Sequence, residues 1–210
     1  MQSADPTTKT DILEIAIPLF ARAGFSSISM RTIAKEVGLT APTLYHHFPD
    51  KQALYIAAMK HAFSSKSEML SVSLFTDKSL DERLKDFVLA FCKLIHDDPD
   101  FHKLIQRELL DGDAGRLQLL AEQVFRDIFV SLTSLSKELD PSFDPHLLAI
   151  SIIGLVSYHY QTMPLRQYQP GSKAYHNDPD VVAAHVKRLL LQGIKGGLVR
   201  QEQTHNGIPQ

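Results

Sequence analysis

A single cysteine, Cys92, stands in a chain of 210 residues. No intramolecular disulfide can form, and a reducing, cytoplasmic setting is expected. No apolar run reaches the roughly 20 residues that a membrane-spanning helix needs, and residues 1–11 are too polar for a secretory leader. Catalytic signatures are missing as well. The chain has no GxGxxG, GxxxxGK, HExxH, GxSxG or CxxC, so none of the common phosphate-cradling, metallo-hydrolase, serine-hydrolase or redox constellations is present. Its ten histidines include none at zinc-ligand spacing, and Asp111-Gly112-Asp113 lacks the remaining ligands of a calcium loop. No metal, no cofactor and no enzymatic activity are therefore expected. Cys92 lies in an apolar stretch with only Lys93 as a nearby base, which suits a small buried hydrophobe better than a nucleophile. No segment alternates with a period of two, so no sheet is expected.

Charge is also sparse. The net charge is −2, and 44% of the residues are hydrophobic, enough for one ordinary core and a small appended one. The first 63 residues carry six Lys or Arg against five Asp or Glu, and the remainder carries sixteen against nineteen. A nucleic-acid-binding domain is ordinarily markedly basic. If this one grips a duplex it neutralises few phosphates per subunit, which implies a modest salt dependence and two subunits acting together.

Residues 29–51, SMRTIAKEVGLTAPTLYHHFPDK, organise the rest. Ser29 is placed to cap a short helix whose Ile33, Ala34 and Val37 share one apolar face. Gly38 allows the sharp, left-handed exit after Val37, and Leu39 fills the corner. Thr40 then caps a second helix, Pro42 sits in its first turn, and Leu44 and Phe48 point back at the first helix. Thr43, Tyr45, His46 and His47 are left outward on a helix short enough for a major groove, where donors and acceptors on base edges await them. Lys51 opens the next helix beside Asp50, its expected cap, where a cation can reach a phosphate. This is the pattern of a helix-turn-helix.

At these residues the chain closely resembles the TetR family of bacterial transcriptional regulators. The resemblance is carried by the helix of residues 10–23, the Gly24-Phe25 turn, Ser29-Met30-Arg31-Thr32-Ile33-Ala34, Val37-Gly38-Leu39, and Thr43-Leu44-Tyr45-His46-His47-Phe48 followed by Asp50-Lys51. It covers about the first 60 residues. It implies an all-α homodimer with an N-terminal DNA-binding domain and a divergent C-terminal domain that binds a small effector and releases DNA. Arg31, Thr40, Ala41, Pro42, Thr43, Tyr45, His46 and Lys51 match family positions that touch bases or phosphates. Ala41 departs in kind, since it offers only a methyl contact where a longer polar side chain could read a base edge.

About nine helices are expected, in an N-terminal three-helix domain over residues 10–63 and a helical effector-binding and dimerisation domain over 64–199. Residues 1–9 form a flexible arm and 200–210 a frayed tail. In the helix of residues 10–23, Pro18 predicts a bend. A long helix over 50–73 could carry a shift of the second domain to the reading helix. Further helices are expected over 80–97, 101–109 and 117–139, then a helix over 144–163 that is apolar nearly all round, a loop over 164–178 and a last helix over 179–198. The helices of 144–163 and 179–198 have more apolar surface than their own domain can cover. Ala149, Ser151, Gly154 and Ser157 would let a partner approach closely, and the resemblance makes this pair of helices the dimer bundle. Candidate effector contacts are Phe91, Ile95, Phe101, Ile105, Glu108, Phe125, Phe129, Tyr158, His159 and Thr162, a set that favours an apolar or aromatic effector. The function expected is a ligand-responsive regulator, by default a repressor on a palindromic double-stranded operator. The alternatives are a DNA-binding activator and a dimeric helical interaction module without DNA.

Overall fold

The computed structural model describes residues 8–74 and 76–205, apart from the side chains of 65, 67–69 and 194–205. The arm expected over 1–9 lies outside these residues except for Thr8 and Lys9. The tail expected over 200–210 lies outside except for the backbone of 200–205, and the Ile194 side chain lies outside as well.

Every regular element among the described residues is helical. The first three are α1 (Lys9–Ala23), α2 (Met30–Glu36) and α3 (Ala41–His47). Next come α4 (Lys51–Leu74), α5 (Leu80–Asp97) and α6 (Pro99–Asp111). The rest are α7 (Ala114–Leu120), α8 (Arg126–Leu139), α9 (Pro145–Gln161), α10 (Met163–Arg166) and α11 (Pro179–His205). Short polar side chains start many of them. Thr8, Ser29, Thr40, Asp98, Asp113 and Asp144 each accept a backbone N–H of the first helical turn, each such cap being worth about 1 kcal/mol.

Two features depart from the sequence reading. The single helix expected over 117–139 is α7 and α8 joined by a π-helical turn, Ala121–Phe125. The apolar positions explain it: 120, 124, 128 and 132 are four apart, and each such step overshoots a full α-turn by about 40°. A wider turn absorbs that drift and keeps the stripe on one side. The loop expected over 164–178 contains α10 and a 3₁₀ turn, Ala174–Asn177. These two changes account for eleven α-helices among the described residues where nine were expected. Helix α1 runs unbroken through Pro18.

The chain divides into two compact units, residues 1–68 with 98–127, and residues 69–97 with 128–210. The first therefore takes in α6 and α7 along with the helix-turn-helix. Its core is built on Ile12, Phe20, Ile33, Leu44, Leu54, Tyr55 and Met59, with Leu104 of α6 and Leu120 of α7 packed into the same cluster. Truncating any of these to Ala would cost about 2–5 kcal/mol. In the second unit α11 lies along α5 and α9, burying Phe87, Cys92, Ile152, Val156 and Val186. Burial pushes the Cys92 thiol up to about 12, which agrees with a side chain that packs and does not react.

Candidate nucleic-acid interface

Helices α2 and α3 are set against each other by the turn at Gly38, whose φ is 76°. Gly38 N–H donates to Lys35 O and Leu39 N–H to Ala34 O at 2.8 Å, the two bonds that close a helix end on a left-handed residue. Leu44 and Phe48 are buried on the inner side of α3. The 3.6-residue period then turns Thr43, Tyr45 and His46 outward, and Tyr45 is 49% exposed. Arg31, Thr40 and Pro42 are also exposed, while Ala41 is half-buried against the core. Thr40 and Thr43 share a hydroxyl–hydroxyl bond of 2.8 Å at the start of α3. Seven of the eight expected contact residues thus lie on or beside one short exposed helix and the helix before it.

Lys51 is the exception. Its ammonium donates to Phe25 O at 2.8 Å and Ile28 O at 3.0 Å, and it lies 4.3 Å from the centre of the Phe25 ring. The turn between α1 and α2 leaves these carbonyls without helical donors, so the cation is drawn inward instead of standing free for a phosphate. Its pKa is lowered, first by burial and then by the Arg116 guanidinium.

The expected effector contacts divide between the two units. In the first, Phe101 and Phe125 pack on Phe63 at 5.8 and 5.0 Å between ring centres, and Lys66 pairs with Asp98 above Phe101. Ile105 joins the core of that unit. Glu108, expected as a polar anchor for a ligand, is instead 2% exposed and accepts from Arg116 Nε at 2.9 Å. A carboxylate so enclosed needs a permanent cation, and Arg116 supplies it.

In the second unit, Phe91 packs on Phe87, Phe129 on His146, and Ile95 is buried. Thr162 donates its hydroxyl to Tyr158 O at 2.8 Å. His159 meets His176 O at 2.8 Å and Arg166 at 3.0 Å. Tyr158 is 66% exposed and continues a stripe on α9 with Leu147, Ile150 and Gly154; Val181 and Leu189 are exposed on α11. A cleft of about 390 Å³ between α5 and α11 has an apolar lining of Leu89, Ala183, Ala184 and Leu191, with Lys85, Lys187, Arg188 and Asp180 around it. None of the expected effector contacts lines it.

Sequence reasoning missed Arg116, Phe25 and Tyr55 as parts of the site. The signal available was the spacing of Lys51 and Tyr55, four residues apart and so on one side of α4.

Residues 12–58 match the bacterial regulatory proteins of the tetR family. The HTH-type transcriptional regulator UidR of Escherichia coli K12 is 44% identical over 54 residues, 26% of this chain and 28% of that protein's length. The fold agrees over nearly the whole chain with FadR of Bacillus subtilis, solved in complex with stearoyl-CoA, at a TM-score of 0.74 and 19% identity, covering 89% of this chain and 99% of that one. It also agrees with AibR, solved with isovaleryl coenzyme A and operator DNA, at a TM-score of 0.67 and 21% identity, covering 88% and 98%. Among the described residues no helix is long and apolar enough to cross a membrane. With an exposed polar helix held by a glycine turn and a family match centred on it, residues 12–58 form a DNA-reading domain of the tetR type of bacterial regulatory proteins, and the all-helical fold along the chain is that of the solved structures named above.

Proposed function

We propose that the protein is a dimeric, ligand-responsive repressor that reads a palindromic operator with α3. The carrying observation is the outer face of α3, where Thr43, Tyr45 and His46 are exposed while Leu44 is turned inward and fully buried. Tyr45, His46 and Thr43 face the bases, while Arg31 and the N-terminal end of α3, Thr40 to Pro42, meet the backbone. The uncovered apolar stripes of α9 and α11 supply the two-fold interface. Two α3 helices so related fit half-sites about 34 Å apart or somewhat more.

The effector carries an apolar group, and an acyl thioester of coenzyme A, with an apolar acyl chain on a charged carrier, is the class best supported, since FadR and AibR hold stearoyl-CoA and isovaleryl-CoA on this fold. A coupling of about 1–3 kcal/mol between effector and DNA changes DNA affinity 5- to 150-fold. The test is selection of duplexes from a random library by the purified protein, followed by titration of the winner. A palindromic winner whose affinity falls at least tenfold in Tyr45→Ala, with an unchanged melting temperature, supports the reading. Recovery of no sequence above random duplex refutes it.

A further inference from the structure

The Lys51 clamp does more than neutralise two carbonyls. Ile28 lies just before α2 and Lys51 just after α3, so the 3.0 Å bond from Lys51 Nζ to Ile28 O closes the base of the segment that carries both helices. Phe25 stands at the centre of that closure. Its carbonyl accepts from Lys51 and its ring meets Tyr55 edge-on at 5.2 Å. The Arg116 guanidinium lies 4.1 Å from the centre of the same ring. Arg116 itself is only 7% exposed, and its orientation is fixed by Glu108 at 2.9 Å, Asp113 at 3.5 Å and Asp111 at 3.6 Å. Glu108 in turn faces Tyr55, whose phenol is made less acidic first by burial and then by that carboxylate. Lys51, Tyr55 and Arg116 therefore meet at Phe25, and with Glu108 behind Arg116 these contacts join α4, the turn before α2, α7 and α6. A second tie runs beside it, from Arg107 of α6 to the carbonyl of Arg22 at the end of α1, at 2.8 Å.

From this arrangement we infer that Arg116 is a positioning residue for DNA reading. It touches no nucleic acid, but it braces Phe25, and through Phe25 the Lys51 clamp that holds α2 and α3 in reading geometry. Two cations can share one aromatic ring here because the three carboxylates around Arg116 offset its charge. A binding segment held in place loses less freedom on association, so loosening the brace weakens binding without removing a phosphate contact. This inference rests on the DNA-binding reading above, and the experiment separates the two.

Arg116→Met and the double variant Glu108→Leu/Arg116→Met are titrated with the selected duplex across a salt series, and backbone amide exchange is measured in the absence of DNA. The double variant leaves no unpaired buried charge and keeps the fold if the single variant loses it. The expected result is an affinity lowered about 5- to 50-fold with an unchanged dependence on log[salt], and faster exchange at residues 25–30. By contrast, Arg31→Ala lowers the slope by about one per subunit. Parental affinity and exchange in a folded variant overturn the inference, and so does a slope reduced as in Arg31→Ala, which would make Arg116 a direct phosphate contact. If the parent selects no duplex, the functional reading fails, while the exchange measurement alone still decides the brace.

Discussion

Replacing Gly38 with Ala isolates the turn that sets α3 against α2. A Cβ added there meets no atom within 4 Å, so no steric clash with neighbours contributes. What remains is the backbone. At φ 76° an L-residue carries a penalty of about 1–2 kcal/mol, partly offset by the roughly 0.4–1 kcal/mol that Ala gains by restricting the unfolded chain. The net expectation is a loss of about 1 kcal/mol, read as a lower midpoint in urea with unchanged slope. Asn reaches the left-handed region more readily than Ala, so Gly38→Asn should fall between the two. Stability in the order Gly, Asn, Ala is the signature. An Ala variant as stable as the parent, or an Asn variant worse than Ala, would refute the argument that this backbone conformation governs the turn.

Two further outcomes follow from burial and exposure. His159 is held below the usual imidazole pKa, first by burial and then, against an opposing bond to His176 O, by Coulombic repulsion from Arg166 and from the His185 and His176 rings, and His102 is lowered by burial alone. Both therefore favour folding fully above the unfolded value near 6.5, and this stability is lost as pH falls through their folded values. Urea midpoints should drop between pH 7.5 and 5.5, less steeply in His159→Gln; a flat profile in the parent would contradict this. Gly154 is exposed in the middle of α9, and a Cβ added to it would meet no atom within 4 Å. Gly154→Leu should leave helix content intact but shift the protein toward monomer in sedimentation, and an unshifted dimer would move the interface elsewhere on the surface.

Most of the reading motif was legible in the sequence because it depends on local chemistry. Ser29, Thr40 and Asp50 cap through bonds three residues long, Gly38 turns the chain by its own conformational freedom, and Leu44 and Phe48 are buried by their spacing alone. What escaped depends on contacts far apart in sequence. Lys51 reaches a turn 26 residues earlier, and no short pattern distinguishes an ammonium aimed at carbonyls from one aimed at a phosphate. Glu108 reads as one of several polar residues on its helix, beside Gln106 and Arg107, until Arg116, eight residues on, is brought beside it by the bend at Gly112. The π turn in residues 121–125 is written in repeated four-residue steps, but steps of three and four both fit an amphipathic α-helix, so the drift carries no local mark.

The sparse charge of the reading domain becomes a number once the cations are sorted by direction. Residues 8–63 contain six Lys or Arg. Lys51 is turned onto carbonyls, whereas Lys9, Arg22, Arg31, Lys35 and Lys60 are exposed, and of these Arg31 and Lys35 lie on α2 beside α3. With the two cations of α2 and about one of the others meeting phosphates in each subunit, a dimer displaces about four to six counterions, and log K should fall with log[salt] at a slope of about −4 to −5. If every cation in this segment met a phosphate, twelve per dimer would give a slope of about −11. Affinity measured on the selected operator between 50 and 300 mM salt, roughly a 6-fold range, separates the two by several orders of magnitude in binding constant. A slope steeper than about −9, more than the exposed cations of two subunits can give, would mean that Lys51 lets go of its carbonyls when DNA arrives. The clamp at Phe25 would then be a feature of the free protein alone, and the geometry of α3 would be fixed by the duplex instead of offered to it.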